Sequence, residues 1–185
     1  MTDDPGSRRY LVPVSREGGD WDSGLPDAAA LATRAVTVAL DGALATDTGG
    51  PLEVSLLLAD DAALRRLNRD YRGRDAATNV LAFPNMDPGA PRPAGAVLAL
   101  GDLAVALETL LREAAAQGKA PADHFCHLIV HGTLHLLGHD HEAEAQAQAM
   151  EALERGILGS LGIPDPYRLL EEPEPPPAKE TIGIG

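Results

Sequence analysis

The chain has 185 residues, 44% of them hydrophobic but only 3% aromatic, and carries a net charge of −13. That length fits one domain with one core, which must be packed from Leu, Val, Ile and Ala rather than rings. No apolar run approaches the roughly 20 residues of a membrane span, "MTDDPGSRRYLVPV" has no signal-peptide core, and the single Cys126 rules out an intrachain disulfide and points to a reducing, cytoplasmic setting.

In chain order, "RRYLVPV" reads as a first strand, followed by a Gly/Asp-rich loop, "REGGDWDSG". Asp27 opens a long helix over "DAAALATRAVTVALDGAL". "LEVSLLLA" is a strand whose nearly continuous apolar run places it centrally. Asp60 or Asp61 caps a short helix, "AALRRLNRDY", and "RGRDAA" is a loop. "TNVLAFP" is a strand stopped by Pro84, joined through the turn-rich "NMDPGAPRPAG" to "AVLALGDLAV", its hairpin partner, with Gly101 and Asp102 ending that strand or starting a helix. Helices follow over "LAVALETLLREAAAQGKA", over "PADHFCHLIVHGTLHLLG" with Pro121 near its start and Gly138 near its end, and over "HEAEAQAQAMEALERGILGSLG". Strands and helices mix without strict alternation. The fold class is α+β: a single domain, residues 1–164, with a small mixed sheet packed by helices. Residues 165–185, acidic and proline-rich, are expected to be a disordered tail.

The acidity argues against nucleic acid as a partner, but its distribution is uneven. Arg65, Arg66, Arg69, Arg72 and Arg74 fall within ten residues, a third of all Lys and Arg. A solvated helix face is the plain reading of such a cluster.

All six histidines lie between His124 and His141. His127, His131 and His135 are four apart and share a helix face. His131, His135 and His141 form H-x3-H-x5-H with Gly138 between the last two, so that a helix supplies two imidazoles and the chain after a bend a third. Three neutral imidazoles suit Zn²⁺ with a fourth position open. His127 is a further ligand or a supporting group, and His124 and His139 are bystanders. Metzincin proteases share this spacing but place a Glu directly after the first histidine as general base. Here that position is Gly132, so peptide hydrolysis by that route has no base.

"HGTLHLLGHDH" resembles the signature H-G-x-L-H-L-x-G-x-D-H of the YbeY family of bacterial endoribonucleases. "LNRDYRGRDAATNVLAFP" resembles that family's L-N-x-x-Y-R-G-x-D-x-x-T-N-V-L-S-F-P, with Ala82 in place of Ser, and "LGDLAV" resembles its L-G-D-I. The resemblance covers about Leu11 to Gly162 and implies a mixed-sheet α+β fold. It implies a zinc- or other metal-dependent, single-strand-specific endoribonuclease acting in 16S rRNA 3′-end maturation and ribosome quality control, with rRNA and the small ribosomal subunit as partners. By motif position it makes His131, His135 and His141 the metal ligands and Arg72 the functionally important arginine. Asp140, the motif's acidic residue, is expected to orient a ligand histidine, and Arg74 to contact RNA beside Arg72. A zinc hydrolase of a peptide or ester, and a non-catalytic ribosome-assembly factor with a structural metal, are the competing readings.

Overall fold

The computed structural model describes residues 9–44, 48–85, 91 and 93–168. Its elements run β1 (Tyr10–Leu11), β2 (Val14–Glu17), α1 (Trp21–Gly24), α2 (Ala28–Ala43), β3 (Leu52–Ala59), α3 (Asp61–Arg72), β4 (Val80–Pro84), β5 (Leu98–Ala106), α4 (Leu107–Ala116), α5 (Pro121–Leu136) and α6 (Glu144–Ser160). The sheet order is β1-β3-β5-β4, with β2 also on β3. All pairs are parallel except β4 with β5. This is the expected α+β class, with β3 in the interior of the sheet.

The expected first strand is split. Pro13 has no N–H for a ladder, and its carbonyl takes the Leu56 N–H between the two short pieces β1 and β2. The expected loop after it contains α1, which buries Trp21 edge-on against Phe125 at 5.9 Å. Gly101 and Asp102 neither end a strand nor start a helix. β5 runs through both, with a register shift against β3 there. Gly101 has φ +144°, and a Cβ on it would lie 2.2 Å from the Phe83 carbonyl oxygen, so the irregularity needs glycine. The strand then continues to Ala106, and the helix expected over residues 103–120 is confined to α4, ten residues long.

Both aspartates at the start of α3 act as caps, for different helices. Asp60 accepts the Ala63 N–H and caps α3 itself. Asp61 accepts the N–H and hydroxyl of Thr109 in the first turn of α4, while Glu108 of α4 accepts the Asp61 N–H. α4 has no capping side chain of its own, so the two helix starts satisfy each other's free donors.

The main core lies between one sheet face, through Leu52, Val54, Leu56 and Leu58, and helices α2 and α5, through Ala32, Ala35, Val36, Leu40, Phe125, Ile129 and Leu134. A smaller cluster, Ala59, Ala63, Leu64, Leu81, Ala104 and Ala106, holds α3 on the opposite face. Edge strand β4 therefore separates the end of α3 from α5. Residues 169–185, most of the expected tail, lie outside the described residues.

Candidate metal centre

Helix α5 packs unusually close to β5. A Cβ on Gly132 would stand 2.8 Å from a Leu103 methyl. Glycine at this position lets the helix sit down on the sheet, and the position that carries a base in metzincins is here filled by strand. Either side of Gly132, His131 and His135 remain on the half-buried flank of α5. After α5, Gly138 turns the chain at φ +90° and returns His141 to the pair. One ligating atom from each of the three histidines lies within 4.8 Å of the others.

The rings are held in a ligating form. His131 Nδ1 meets Glu154 Oε1 at 2.5 Å. An ionised carboxylate can only accept, so Nδ1 carries a proton, and in the neutral ring that leaves the lone pair on Nε2. That Nε2 faces His135 Nε2 at 3.0 Å. Two nitrogens bound to one ion at about 2.0–2.1 Å in tetrahedral geometry stand roughly 3.3 Å apart. The donor set and spacing therefore fit a single metal ion, with little movement. Burial, and then repulsion from His131 and His141 when they are protonated, hold His135 below the ordinary imidazole range, which favours the neutral, ligating ring.

Glu154 was not among the expected site residues. It is wholly buried on α6 and is reached by His131, by His127 Nε2 at 3.4 Å and by the Tyr167 hydroxyl. Burial alone would raise its pKa, but the hydrogen bonds from His127, His131 and Tyr167 outweigh that and bring it down to about 2. A signal for it existed in the sequence. Met150, Glu154, Ile157 and Leu158 share the inward face of α6, and a charged residue on such a stripe demands partners.

Asp140 lies beside His141. Its carboxylate accepts the His141 backbone N–H at 2.7 Å and lies 4.0 Å from the His141 ring nitrogen. The carboxylate at hydrogen-bond distance from one of the three rings belongs to Glu154. His127 shares that carboxylate and stands outside the three-nitrogen group. His124 is buried and paired with Glu113 at 2.8 Å, and Glu113 also accepts from Asn79 just before β4.

Arg72 is the last residue of α3. Its Nη2 donates to the Ala82 carbonyl of edge strand β4 at 2.9 Å. Arg74 follows in a loop pinned by Asn68, which donates to the Ala76 carbonyl and whose own carbonyl accepts the Arg74 N–H. Both arginines line one open cleft of about 890 Å³ together with His131, His135, His141 and Tyr167. The rest of the basic cluster is neutralised: Arg65 pairs with Asp75, Arg66 with Glu17 and Arg69 with Asp70. Among the described residues, Arg72 and Arg74 have no carboxylate partner, so the net positive charge of the cluster is concentrated at the cleft.

Residues 25–162 match the family described as Endoribonuclease YbeY. The chain belongs to that family. The endoribonuclease YbeY of Rhodospirillum rubrum is 52% identical over 172 residues, covering 89% of this chain and 86% of its own length. That of Azorhizobium caulinodans is 49% identical over 162 residues, covering 87% and 98%. That of Halorhodospira halophila is 56% identical over 121 residues, covering 65% and 76%. A solution structure of TM1509 from Thermotoga maritima aligns over 86% of this chain and all of its own, at 19% identity and a TM-score of 0.49. No described helix of this YbeY-family chain is long and apolar enough to cross a membrane.

Proposed function

We propose that this chain is a zinc-dependent, single-strand-specific endoribonuclease that acts in the cytoplasm on the 3′ end of 16S rRNA in the small ribosomal subunit, in maturation and quality control. The observation that carries this reading is the meeting of three histidine nitrogens and two arginines, which have no carboxylate partner among the described residues, in one cleft. Family membership supports the same reading.

His131, His135 and His141 would hold the ion. It would supply Lewis-acid polarisation of a phosphate oxygen and a water of lowered pKa. Arg72 supplies a planar fork of donors that grips a phosphodiester and offsets charge developing on it. Its tether to the Ala82 carbonyl fixes the guanidinium at the strand edge, leaving its other N–H groups to face the cleft. Arg74 holds the next stretch of backbone. Glu154, supported by Tyr167, fixes the His131 ring, and Asp140 sets the turn that delivers His141. Gly132, pressed against Leu103, leaves no room for a protease-type base on α5.

The test is cleavage of precursor 16S rRNA within ribosomes, with and without chelator, by wild type and Arg72→Glu. Wild type should cut and lose activity on chelation, and Arg72→Glu should keep the metal but fail to cut. Normal cleavage by Arg72→Glu would remove its assigned role. If metal-loaded wild type cuts peptides or esters but not RNA, the substrate class is wrong. If it cuts nothing, a structural metal in an assembly factor replaces the enzyme.

A further inference from the structure

Six aromatic residues serve the whole chain, and one of the described ones is spent on the surface. Tyr71 is 73% exposed. It immediately precedes Arg72 in the last turn of α3, and its ring stands edge-on to Phe83 of strand β4, with centroids 5.4 Å apart. The Arg72 guanidinium lies 5.9 Å from the centre of the same Phe83 ring. Tyr71 and Arg72 therefore both approach one half-buried ring on edge strand β4, and Arg72 also lines the cleft that holds the histidines. The Phe83 contact braces the tyrosine from the side and leaves its ring open to solvent. Among the described residues the other large exposed apolar side chain is Val97, just before β5.

We propose that Tyr71 is a stacking platform for an unpaired nucleobase of the RNA whose phosphate Arg72 holds. The reading deepens the proposed function and rests on it. The occupant must be planar, with an apolar face, and must carry an anionic group close to that face. A single-stranded nucleotide has both, because its base is free to turn out of the stack, whereas a base inside a duplex offers no open face. The platform therefore gives the site a physical reason to select single strands, which the histidines and arginines lack: they meet phosphates, which both forms present. It also tolerates sequence, since every base has a π face. A stacking contact further adds affinity without positive charge, which suits a chain whose net charge is −13.

The experiment measures binding of the zinc-loaded, full-length chain to a nuclease-resistant 2′-O-methyl oligoribonucleotide of about eight nucleotides, to the same strand in a duplex, and to an abasic strand of equal length. Tyr71→Ala should weaken binding of the single strand by about 5- to 150-fold, from a stacking contribution of about 1–3 kcal/mol per base. Tyr71→Phe and Tyr71→Trp should bind like wild type, and no variant should differ on the abasic strand. Trp21 is buried, so Tyr71→Trp adds an exposed indole whose fluorescence should be quenched by the single strand and not by the abasic one. Metal affinity and melting temperature should be unchanged in all three. Equal binding of the intact strand by wild type and Tyr71→Ala would overturn the platform alone, as would an equal loss on the abasic strand. Failure of wild type to bind any RNA would overturn the endoribonuclease reading and the platform with it.

Discussion

Glu154 is a carboxylate with no exposed surface, surrounded by three donors from α5 and from beyond α6. Burying such a charge is costly unless it is paired and hydrogen-bonded, and here every donor is an imidazole or phenol beside the metal centre. Its orientation of His131 is the return on that cost. Glu154→Gln keeps the shape but places an N–H₂ group where donors already point, so the His131 ring loses its fixed tautomer. Metal affinity should fall by about 10- to 100-fold, read by competition with a chromophoric chelator. An unchanged affinity would show that His131 holds its orientation without Glu154. The cluster of three histidines was legible in the sequence because helix geometry converts the spacing of His131 and His135 directly into proximity. Glu154 lies 23 residues from His131 on another helix, and only packing brings the two together. Nearness in sequence points to Asp140, whose carboxylate accepts the His141 backbone N–H and lies 4.0 Å from that ring, but not to Glu154.

Helix α5 carries the centre, and its position depends on Gly132. With 2.8 Å between a new Cβ and Leu103, Gly132→Ala must push the helix away from β5 or force a strained Leu103 rotamer. The expected cost is about 1–3 kcal/mol, visible as a lower melting temperature of the metal-free chain. The displacement would also part His131 and His135 from the Ala82 edge where Arg72 is tethered, so activity should drop further than stability alone explains. Full activity with an unchanged melting temperature would show that the contact has slack. Elements such as α5 were legible because Pro121 and a long apolar period mark a helix. The boundary between β5 and α4 was not. "LAVALETLL" is apolar enough for either state, and the choice is made by partners: Ala106 stands opposite Ala59 in the parallel ladder and donates to the Asn79 carbonyl. Helix propensity yields there to strand pairing.

For the molecule as a unit, the question is where the folded body ends. The tail expected from composition begins at residue 165, yet residues 165–168 turn back onto α6. Arg155 pairs with Asp165 at 3.2 Å and lies 5.2 Å from the centre of the Tyr167 ring, whose hydroxyl reaches Glu154. Two truncations locate the end of the body. Stopping the chain after Arg168 removes four glutamates and one lysine and takes the net charge from −13 to −10, while Tyr167 stays. Metal affinity and melting temperature should match the full chain. RNA association should be faster at low ionic strength, with the difference fading as salt shortens the range of repulsion. Stopping the chain after Pro164 removes Tyr167 and Asp165 as well. Glu154 then loses a donor and α6 its clamp, so metal affinity should fall although no ligand has been touched. Chelator competition on the two truncations, with RNA association rates at two salt concentrations, decides the matter. Equal metal affinity in both would place the functional boundary at Pro164 and reduce Tyr167 to a surface contact, whereas a loss confined to the shorter chain makes those four residues part of the metal centre.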